Sequence, residues 1–246
     1  MQSLIVTGGA RGIGAACARE AARQGWAVCV NYRSSAAQAD ALVAEIVAGG
    51  GRAAAVAGDV AAERDVRAIF DAAQALAPVG GLVNNAGILA TAMPLADISL
   101  ERWQATMATN LTGSFLCARE AVRRMACSRG GAGGAIVNVS SMAAVLGGPN
   151  EFTDYAASKG AIDTLTIGLA KEVAADGIRV NGVRPGLIDT DIHAGSGDPH
   201  RAARLASSVP MGRVGTPDEV ARTVLWLMSD AASYCTGIIV NVSGGR

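Results

Sequence analysis

The sequence predicts a doubly wound α/β fold, a mostly parallel sheet of seven strands with helices on both faces. Two observations lead to this prediction. Short apolar runs alternate with longer helical stretches along the whole chain, and glycine-rich or polar segments separate them. Half of the 246 residues are hydrophobic and only 4% are aromatic, which suits layers rich in small side chains. No repeat, linker or low-complexity segment interrupts the pattern, so we expect one domain over residues 1–246.

Each strand is expected where a short apolar run ends at a loop, at residues 4–7, 27–31, 53–57, 81–85, 135–140, 179–184 and 237–242. Helices are expected between them, at residues 12–24, 36–48, 63–76, 100–129, 155–176 and 217–229. Gly25 can end the first helix because glycine accepts the left-handed conformation. Residues 189–208 are predicted to form a lid over the binding site, with Gly195 and Gly197 giving it flexibility.

Composition excludes several classes of protein. Lys and Arg number 21 and so do Asp and Glu, so the sequence has neither the basic stripe of a nucleic-acid-binding protein nor a polybasic membrane patch. The five cysteines are scattered without a CxxC pair, which is typical of reduced thiols. With only His193 and His200, and no acid–cysteine pattern nearby, we expect no metal site. Neither a signal peptide nor a membrane-spanning run is visible, so we expect a cytoplasmic protein.

A glycine-rich loop lies between the first predicted strand and the first predicted helix. Its glycines allow a tight turn and let backbone amides approach a pyrophosphate at the helix N-terminus, where the helix dipole favours an anion. The spacing is GxxxGxG, which differs from the general GxGxxG fingerprint, and an ordinary glycine-rich turn is the alternative. The candidate cofactor-binding residues of this loop are Gly8, Arg11, Gly12, Ile13 and Gly14.

The end of the second strand bears on the choice of cofactor. Folds that bind NAD tend to place an acid there for the ribose 2′-hydroxyl, whereas an arginine suits a 2′-phosphate. The segment here is Asn31-Tyr32-Arg33 and contains no acid. Arg33 and Arg11 can pair with a phosphate through charge-assisted bonds, so NADP(H) is favoured over NAD(H). The alternative is that both arginines are solvated surface side chains.

Tyr155 and Lys159 stand four residues apart at the start of a predicted helix, which places them on one face. A free tyrosine has a pKa of about 10 and is a poor acid or base at neutral pH. A neighbouring ammonium stabilises the phenolate, so we expect the pKa of Tyr155 to be lowered. Taken alone, such a pair also occurs by chance on many amphipathic helices.

Several motifs follow one another in order along the chain. The glycine loop is followed by Asn84-Asn85-Ala86-Gly87, by Asn138-Val139-Ser140-Ser141, by the Tyr155–Lys159 pair and by Arg184-Pro185-Gly186. This arrangement resembles the short-chain dehydrogenase/reductase family over essentially the whole chain, and most of all its 3-oxoacyl-carrier-protein reductase and glucose 1-dehydrogenase-like branch. The resemblance implies a Rossmann-type fold and an oxidoreductase that moves a hydride between nicotinamide and a carbonyl or alcohol.

The resemblance also implies four catalytic roles. Tyr155 would be the general acid in reduction and the base in oxidation, while Lys159 would lower its pKa and hold the nicotinamide ribose. Ser141 would bind the substrate oxygen, with Ser140 as the alternative serine. Asn110 would support a proton-relay water, unless it is a mid-helix polar residue that satisfies its own turn.

Further cofactor contacts carry over by position. Asp59 and Val60, which follow the third strand, would contact the adenine, although Asp59 could instead be an acid at the start of a helix. The residues after strand four would line the adenosine side, and those after strand six would flank the nicotinamide. These residues are Asp59, Val60, Asn85, Ala86, Gly87, Pro185, Gly186, Ile188 and Thr190.

The substrate site is expected between the strand ends and the lid. Candidate residues for it are Ser141, Met142, Glu151, Tyr155 and His193, with further walls at Leu89, Val145, Asn150, Leu187 and Ile192. The partner would be a small carbonyl or alcohol, and the resemblance implies a homo-oligomer, either dimer or tetramer. A catalytically inactive nucleotide sensor or scaffold is the alternative from another class. An epimerase or dehydratase of the longer relatives would need a C-terminal domain for which the chain has no room.

Overall fold

The computed structural model describes residues 1–190, 192, 198 and 204–246. Seven strands form one sheet in the order β3-β2-β1-β4-β5-β6-β7, and each neighbouring pair is parallel. This confirms the doubly wound prediction. The strands are β1 (Ser3–Val6), β2 (Ala27–Tyr32), β3 (Arg52–Ala57), β4 (Val79–Asn84), β5 (Gly134–Val139), β6 (Ile178–Pro185) and β7 (Ile239–Val242).

Helices connect the strands and cover both faces of the sheet. In the described part of the chain the α-helices are α1 (Gly12–Arg23), α2 (Ala36–Ala48), α3 (Glu63–Leu76), α4 (Leu100–Met107), α5 (Gly113–Met125), α6 (Ala143–Leu146), α7 (Thr153–Val173) and α8 (Pro217–Met228). None of the helices described is both long and apolar enough to cross a membrane.

Alternate side chains of the central strands enter two separate cores. Leu4 and Val6 of β1 pack with α1, α2 and α8 on one face, whereas Ile5 packs with α3, α5 and α7 on the other. Successive side chains of a strand point to opposite faces, so a strand covered on both sides is apolar throughout. The two cores fix the sheet rigidly between its helical layers, and the loops at the carboxyl ends of the strands are held in place.

The predicted single helix over residues 100–129 is wrong. After α4 the chain forms a π-helical turn at Ala108–Thr112, continues as α5, and ends in a 3-10 turn at Cys127–Arg129. Tertiary contacts hold the middle of the π-helical turn and the residue that follows it. Asn110 binds the loop after β4, and Gly113 lies so close to Val60 that a Cβ there would be 2.6 Å from a Val60 methyl. Such wide turns are frequent at functional sites.

Smaller differences concern element ends. The fourth strand begins at Val79, two residues before its predicted start, and α7 begins at Thr153 and ends at Val173. The short helix α6 was not predicted, since four residues carry no helical period. Most of the predicted lid, including Gly195, Gly197, His193 and His200, lies outside the described residues; Ala206–Ser208 forms a 3-10 turn.

Candidate active site

Two adjoining clefts lie at the carboxyl ends of the strands, where the order of connection reverses between β1 and β4. Open α/β sheets bind ligands at this kind of crevice. The first cleft, of about 220 Å³, is formed by the loops after β1 to β4, and the second, of about 370 Å³, by the segments after β4 to β6 together with α7. Residues common to both walls make them one continuous groove: Ile13, Asn85, Gly87, Thr190 and Ile192.

The glycine loop forms one wall of the first cleft. Gly8 and Gly12 have φ angles of +58° and +53°, a conformation that favours glycine. Helix α1 begins at Gly12 without a side-chain cap from Arg11, and its first-turn N–H groups have no intrahelical acceptor. Gly14 packs against the loop, and a Cβ there would lie 2.5 Å from the Gly8 carbonyl oxygen. Backbone donors at an uncapped helix N-terminus fit a phosphate group.

Thr7 ties this loop to the loop after β4. Its Oγ1 donates to the Val83 carbonyl (3.3 Å) and accepts from the backbone N–H groups of Asn85 and Ala86 (both 3.0 Å). The Asn85 side-chain amide donates back to the carbonyls of Thr7 (2.9 Å) and Gly8 (3.0 Å). The Asn85 side chain therefore braces the loop, while Ala86 and Gly87 line the cleft beside it.

Polar side chains at the ends of β2 and β3 form the far wall of the first cleft. Arg33 Nη1 lies 3.9 Å from Asp59 Oδ2, and Asp59 Oδ1 accepts from the Ala61 N–H (2.9 Å). Asp59 thus faces the cleft and also orders the turn that precedes α3. Asn31 is buried and its amide donates to the Gly58 carbonyl (3.0 Å), which joins the two strand ends. Arg11, Tyr32 and Val60 line this cleft as well.

Sequence reasoning missed two serines in the same wall. Ser34 and Ser35 line the first cleft directly ahead of α2, which begins at Ala36. The signal was present in the run Arg33-Ser34-Ser35, because hydroxyl groups beside an arginine at the start of a helix are typical phosphate partners.

Tyr155 and Lys159 meet in the second cleft, as their spacing predicts. The Lys159 Nζ lies 5.6 Å from the centre of the Tyr155 ring and donates to the Val139 carbonyl (2.8 Å). Burial lowers the pKa of Lys159 to about 8, with the nearby charge of Asp163 acting in the opposite direction. Burial raises the pKa of Tyr155, and a hydrogen bond with the Ser141 side chain opposes this. The expected lowering of the Tyr155 pKa is therefore wrong for the protein by itself, because loss of hydration around the phenol outweighs the effect of its neighbours.

The two serines after β5 have different surroundings. Ser140 is buried and its Oγ donates to the Lys159 carbonyl (3.1 Å). Ser141 Oγ accepts from the Ala143 N–H (3.1 Å) and its side chain is hydrogen-bonded to Tyr155. This geometry favours Ser141 over Ser140 as the hydroxyl that acts together with Tyr155.

Asn110 holds the loop after β4 from the π-helical turn. Its Oδ1 accepts from the Ile88 N–H (2.8 Å), and its Nδ2 donates to the Ile88 carbonyl and to Ser158 Oγ (both 3.1 Å). The side chain therefore does not satisfy its own turn. A Cβ built on Gly87 would be 3.5 Å from Asn110 Oδ1 and 3.6 Å from Lys159 Nζ, so these groups lie on the same side of Gly87.

The walls of the second cleft agree in part with the sequence prediction. Those of the predicted residues that line it are Ile13, Asn85, Gly87, Leu89, Ser140, Ser141, Met142, Glu151, Tyr155, Lys159, Pro185, Gly186, Leu187, Ile188, Thr190 and Ile192. Val145 and Asn150 are not among its lining residues: α6 turns Val145 into solvent, while Leu146, four residues after Met142, faces the cleft instead. His193 lies outside the described residues. Pro149, Phe152 and Arg246 were missed, and Arg246 arrives from the far end of the chain without any local signal.

Comparison with known proteins agrees with this geometry. A family model described as enoyl-(acyl carrier protein) reductase matches residues 8–246. The chain is 51% identical over 247 residues to the uncharacterized oxidoreductase YgfF of Escherichia coli (strain K12), and the match covers 100% of both chains. It is 42% identical to 3beta-hydroxysteroid dehydrogenase 1 of Eggerthella lenta, covering 99% of this chain and 93% of the relative. The crystal structure of 3-ketoacyl-(acyl-carrier-protein) reductase from Brucella melitensis complexed with NADH superposes with a TM-score of 0.91 at 31% identity, covering 100% of this chain and 98% of that one.

The chain therefore belongs to the short-chain dehydrogenase/reductase family. It is an oxidoreductase that acts on alcohol or carbonyl compounds with a nicotinamide cofactor, and the groove at the strand ends fits such a cofactor.

Proposed function

We propose that the protein transfers a hydride between NADP(H) and a carbonyl or secondary-alcohol substrate, with Tyr155 as the general acid in reduction and the general base in oxidation. The observation that carries the proposal is the meeting of Tyr155, Ser141 and Lys159 in a cleft continuous with the glycine loop. The nicotinamide supplies the hydride when it is bound. The protein's own side chains in the second cleft act on the substrate oxygen.

In reduction, the Tyr155 hydroxyl donates its proton to the substrate oxygen. Burial raises the pKa of Tyr155, so the hydroxyl keeps its proton through neutral pH and loses it only at higher pH. Ser141 already shares a hydrogen bond with Tyr155 and, beside it, offers a second donor to the same oxygen. The Lys159 ammonium stabilises the phenolate that remains after the transfer. Asn110 supports a relay water beside Lys159 that returns the proton.

The preference for NADP(H) rests on the wall formed by the ends of β2 and β3. Arg33 and Arg11 bring two positive charges to the first cleft, and Ser34 and Ser35 add hydroxyl donors. The segment after β2 contains no acid for a ribose 2′-hydroxyl. A 2′-phosphate would gain charge-assisted hydrogen bonds there.

The second cleft supports a substrate with an apolar flank. Its walls include Leu89, Met142, Leu146, Phe152 and Leu187, with Glu151 as an acidic group. Two of the relatives act, by their names, on a ketoacyl group bound to a carrier protein and on a steroid, whereas a third is named for the sugar L-rhamnose. We propose an apolar ketone or secondary alcohol as the substrate class, to be sought in a panel that also contains sugars.

A Tyr155→Phe variant tests the chemistry. Only the proton donor is lost, so turnover of any panel substrate should fall by about 100- to 10,000-fold while NADPH binding stays near normal. NADPH absorbance measures the first quantity and NADPH fluorescence the second. Tyr234→Phe is the matched control because Tyr234 is fully exposed and far from the groove. Tight NADPH binding by the wild type without turnover of any substrate would refute the proposal in favour of a nucleotide-binding sensor.

A further inference from the structure

Asp163 is a buried acid one helical turn after Lys159 on α7, and the proposed chemistry does not use it. Only 8% of its surface is exposed. Its Oδ2 accepts from Arg184 Nε at 2.8 Å, while its Oδ1 is buried without a hydrogen-bond partner in the described part of the chain. A buried carboxylate with one unpaired oxygen is costly unless its charge acts on something nearby.

Arg184 lies on β6 of the sheet and contacts the Asp163 carboxylate from there. It precedes Pro185 at the carboxyl end of β6, where the wall of the second cleft begins. Its Nη1 lies 3.4 Å from Asn241 Oδ1 on β7, so the guanidinium is anchored on two sides. Arg184 therefore neutralises part of the negative charge of Asp163 from a position next to the wall of the second cleft.

Lys159 is the cation on which the charge of Asp163 acts. Its Nζ donates to a neutral acceptor, the Val139 carbonyl, at 2.8 Å. Residues four apart on a helix are neighbours, so Asp163 is the acid nearest to Lys159 along α7. Burial lowers the pKa of Lys159 and the charge of Asp163 raises it, which agrees with this arrangement.

We propose that Asp163 is a positioning residue that keeps the positive charge on Lys159, and that Arg184 sets the strength of this effect by sharing the charge of Asp163. The inference rests on the proposed function, because it assigns a purpose to the charge of Lys159 in the Tyr155–Lys159 pair. The two residues touch neither substrate nor cofactor in this proposal and act through Lys159.

Two further charged side chains, Glu151 and Arg246, line the second cleft together with Lys159. Strands β5 and β7 and helix α6 contain no ionisable side chain in the part of the chain described. At the start of α7, Asp154 is paired with Arg102 of α4 at 2.8 Å. On α5, Arg119 pairs with Glu63 and Glu120 with Arg124. Asp163 and Arg184 are thus the charged groups whose removal should act on Lys159 most directly.

The proposal predicts opposite effects for the two removals. A negative charge favours the protonated forms of both Lys159 and Tyr155, and a positive charge disfavours them. Lys159 and Tyr155 lie side by side in the cleft, so the sign is the same whichever of them loses the proton. In carbonyl reduction the pair must be protonated, and activity is lost as the pH rises through its pKa. Removing Asp163 should move this loss to lower pH, and removing Arg184 should move it to higher pH.

The experiment compares Asp163→Asn, Arg184→Gln and Asp163→Glu with the wild type. We expect the alkaline fall of kcat/KM to move down by about one pH unit in Asp163→Asn and up in Arg184→Gln, and to stay in place in Asp163→Glu, which keeps the charge. Glu45→Gln is the control for loss of an ion pair, since Glu45 pairs with Arg19 on the surface. This variant should leave the pH profile of kcat/KM unchanged.

Loss of packing alone would lower activity at every pH without opposite displacements. Profiles that move in the same direction in both variants, or that do not move, overturn the proposal even where turnover is intact. If Asp163→Asn does not fold, the proposal is still tested by Arg184→Gln, in which the alkaline fall of kcat/KM should move to higher pH. The pH dependence of NADPH binding gives a second measure that needs no turnover, so a failure of the Tyr155 chemistry is distinguished from a failure of this inference.

Discussion

Arg33 is held loosely enough to change its partner. Its contact with Asp59 is long at 3.9 Å, and 60% of the arginine side chain is exposed. An exposed pair of this kind contributes at most about 1 kcal/mol to stability. A 2′-phosphate carries more charge than the carboxylate and can accept two bonds from the guanidinium, so Arg33 can turn to the nucleotide with little loss.

Replacing this arginine by an acid should change the cofactor preference. In Arg33→Asp the phosphate loses a partner and meets a negative charge. We expect the kcat/KM ratio for NADPH over NADH to fall by roughly tenfold or more, because a hydrogen bond to a charged group contributes about 1.5–3 kcal/mol. Steady-state kinetics with both cofactors measures the ratio.

Arg64→Asp provides the matched control for the Arg33 substitution, since Arg64 is an exposed arginine on α3 outside the groove. The ratio should not change in this variant. An unchanged ratio in Arg33→Asp as well would exclude Arg33 as the residue that recognises the phosphate.

Single residues show where sequence reasoning succeeds and where it stops. The four-residue spacing was enough to bring Tyr155 and Lys159 together, because helix geometry fixes it. It could not give the direction of the Tyr155 pKa shift, which depends on burial by segments far away in the chain. The choice of Ser141 over Ser140 came from the resemblance alone, and no local pattern reports the contacts to Lys159 and Tyr155 that distinguish the two hydroxyls.

Helix α1 depends on close contact with the loop before it. At Gly14 a Cβ would lie 2.5 Å from the Gly8 carbonyl oxygen and 2.6 Å from Asn85 Nδ2, distances that real side chains do not adopt. Gly14→Ala should therefore lower the free energy of unfolding by roughly 1–3 kcal/mol and weaken cofactor binding. Urea denaturation measures the first effect.

The matched control for that substitution is Gly168→Ala in α7, where a Cβ would meet nothing within 4 Å. Alanine is the better helix former, so this variant should be as stable as the wild type or more stable by up to about 1 kcal/mol. Equal unfolding midpoints for Gly14→Ala and the wild type would show that α1 can move away from the loop.

The segment over residues 100–129 was the least predictable element, whereas α7, the longest helix described, was predicted to within three residues. Residues 100–129 carry a continuous helical pattern, which the π-helical turn at Ala108–Thr112 interrupts, and within this turn Asn110 binds Ile88. That contact joins residues 22 apart in the sequence, so no local pattern reports it. The central strands were easier, since β1, β2, β4 and β5 are short, mostly apolar runs buried along nearly their whole length.

A buried polar chain crosses the molecule beneath the active site. Asn84 Nδ2 of β4 donates to Asn138 Oδ1 of β5 (3.0 Å), and Asn138 Nδ2 donates to Thr166 Oγ1 of α7 (2.8 Å). Asn84 also donates to the Ser114 carbonyl of α5 (3.0 Å). Because these bonds are directional and buried, they fix α5 and α7 against the sheet in one register.

Removing the central member of this chain should destabilise the whole fold. In Asn138→Ala the Asn84 amide loses an acceptor in the interior and a cavity is left, so the free energy of unfolding should fall by about 1–3 kcal/mol. Urea denaturation followed by circular dichroism measures it. Asn241→Ala, at an exposed position of β7, is the control that should change little. Equal losses in both variants would contradict a special contribution of the network.

The arrangement of the whole molecule was predictable to different degrees. The order of the motifs implied the family, and with it the sheet and the position of the groove at the strand ends. The walls of the second cleft were only partly predictable, because Leu146 depends on the unforeseen turn α6 and Arg246 reaches the cleft from the end of the chain.

The bonds of Thr7 have a consequence for how the protein is made on the ribosome. The loop that would hold the phosphates is fixed by donors from Asn85 and Ala86, 78 and 79 residues further along the chain. Strand β1 also lies between β2 and β4, so its second neighbour is added only after three helices have been synthesised. A nascent chain that ends before residue 85 therefore holds the glycine loop only from the side of Asn31, and the opposite side of the loop is completed after that point in translation.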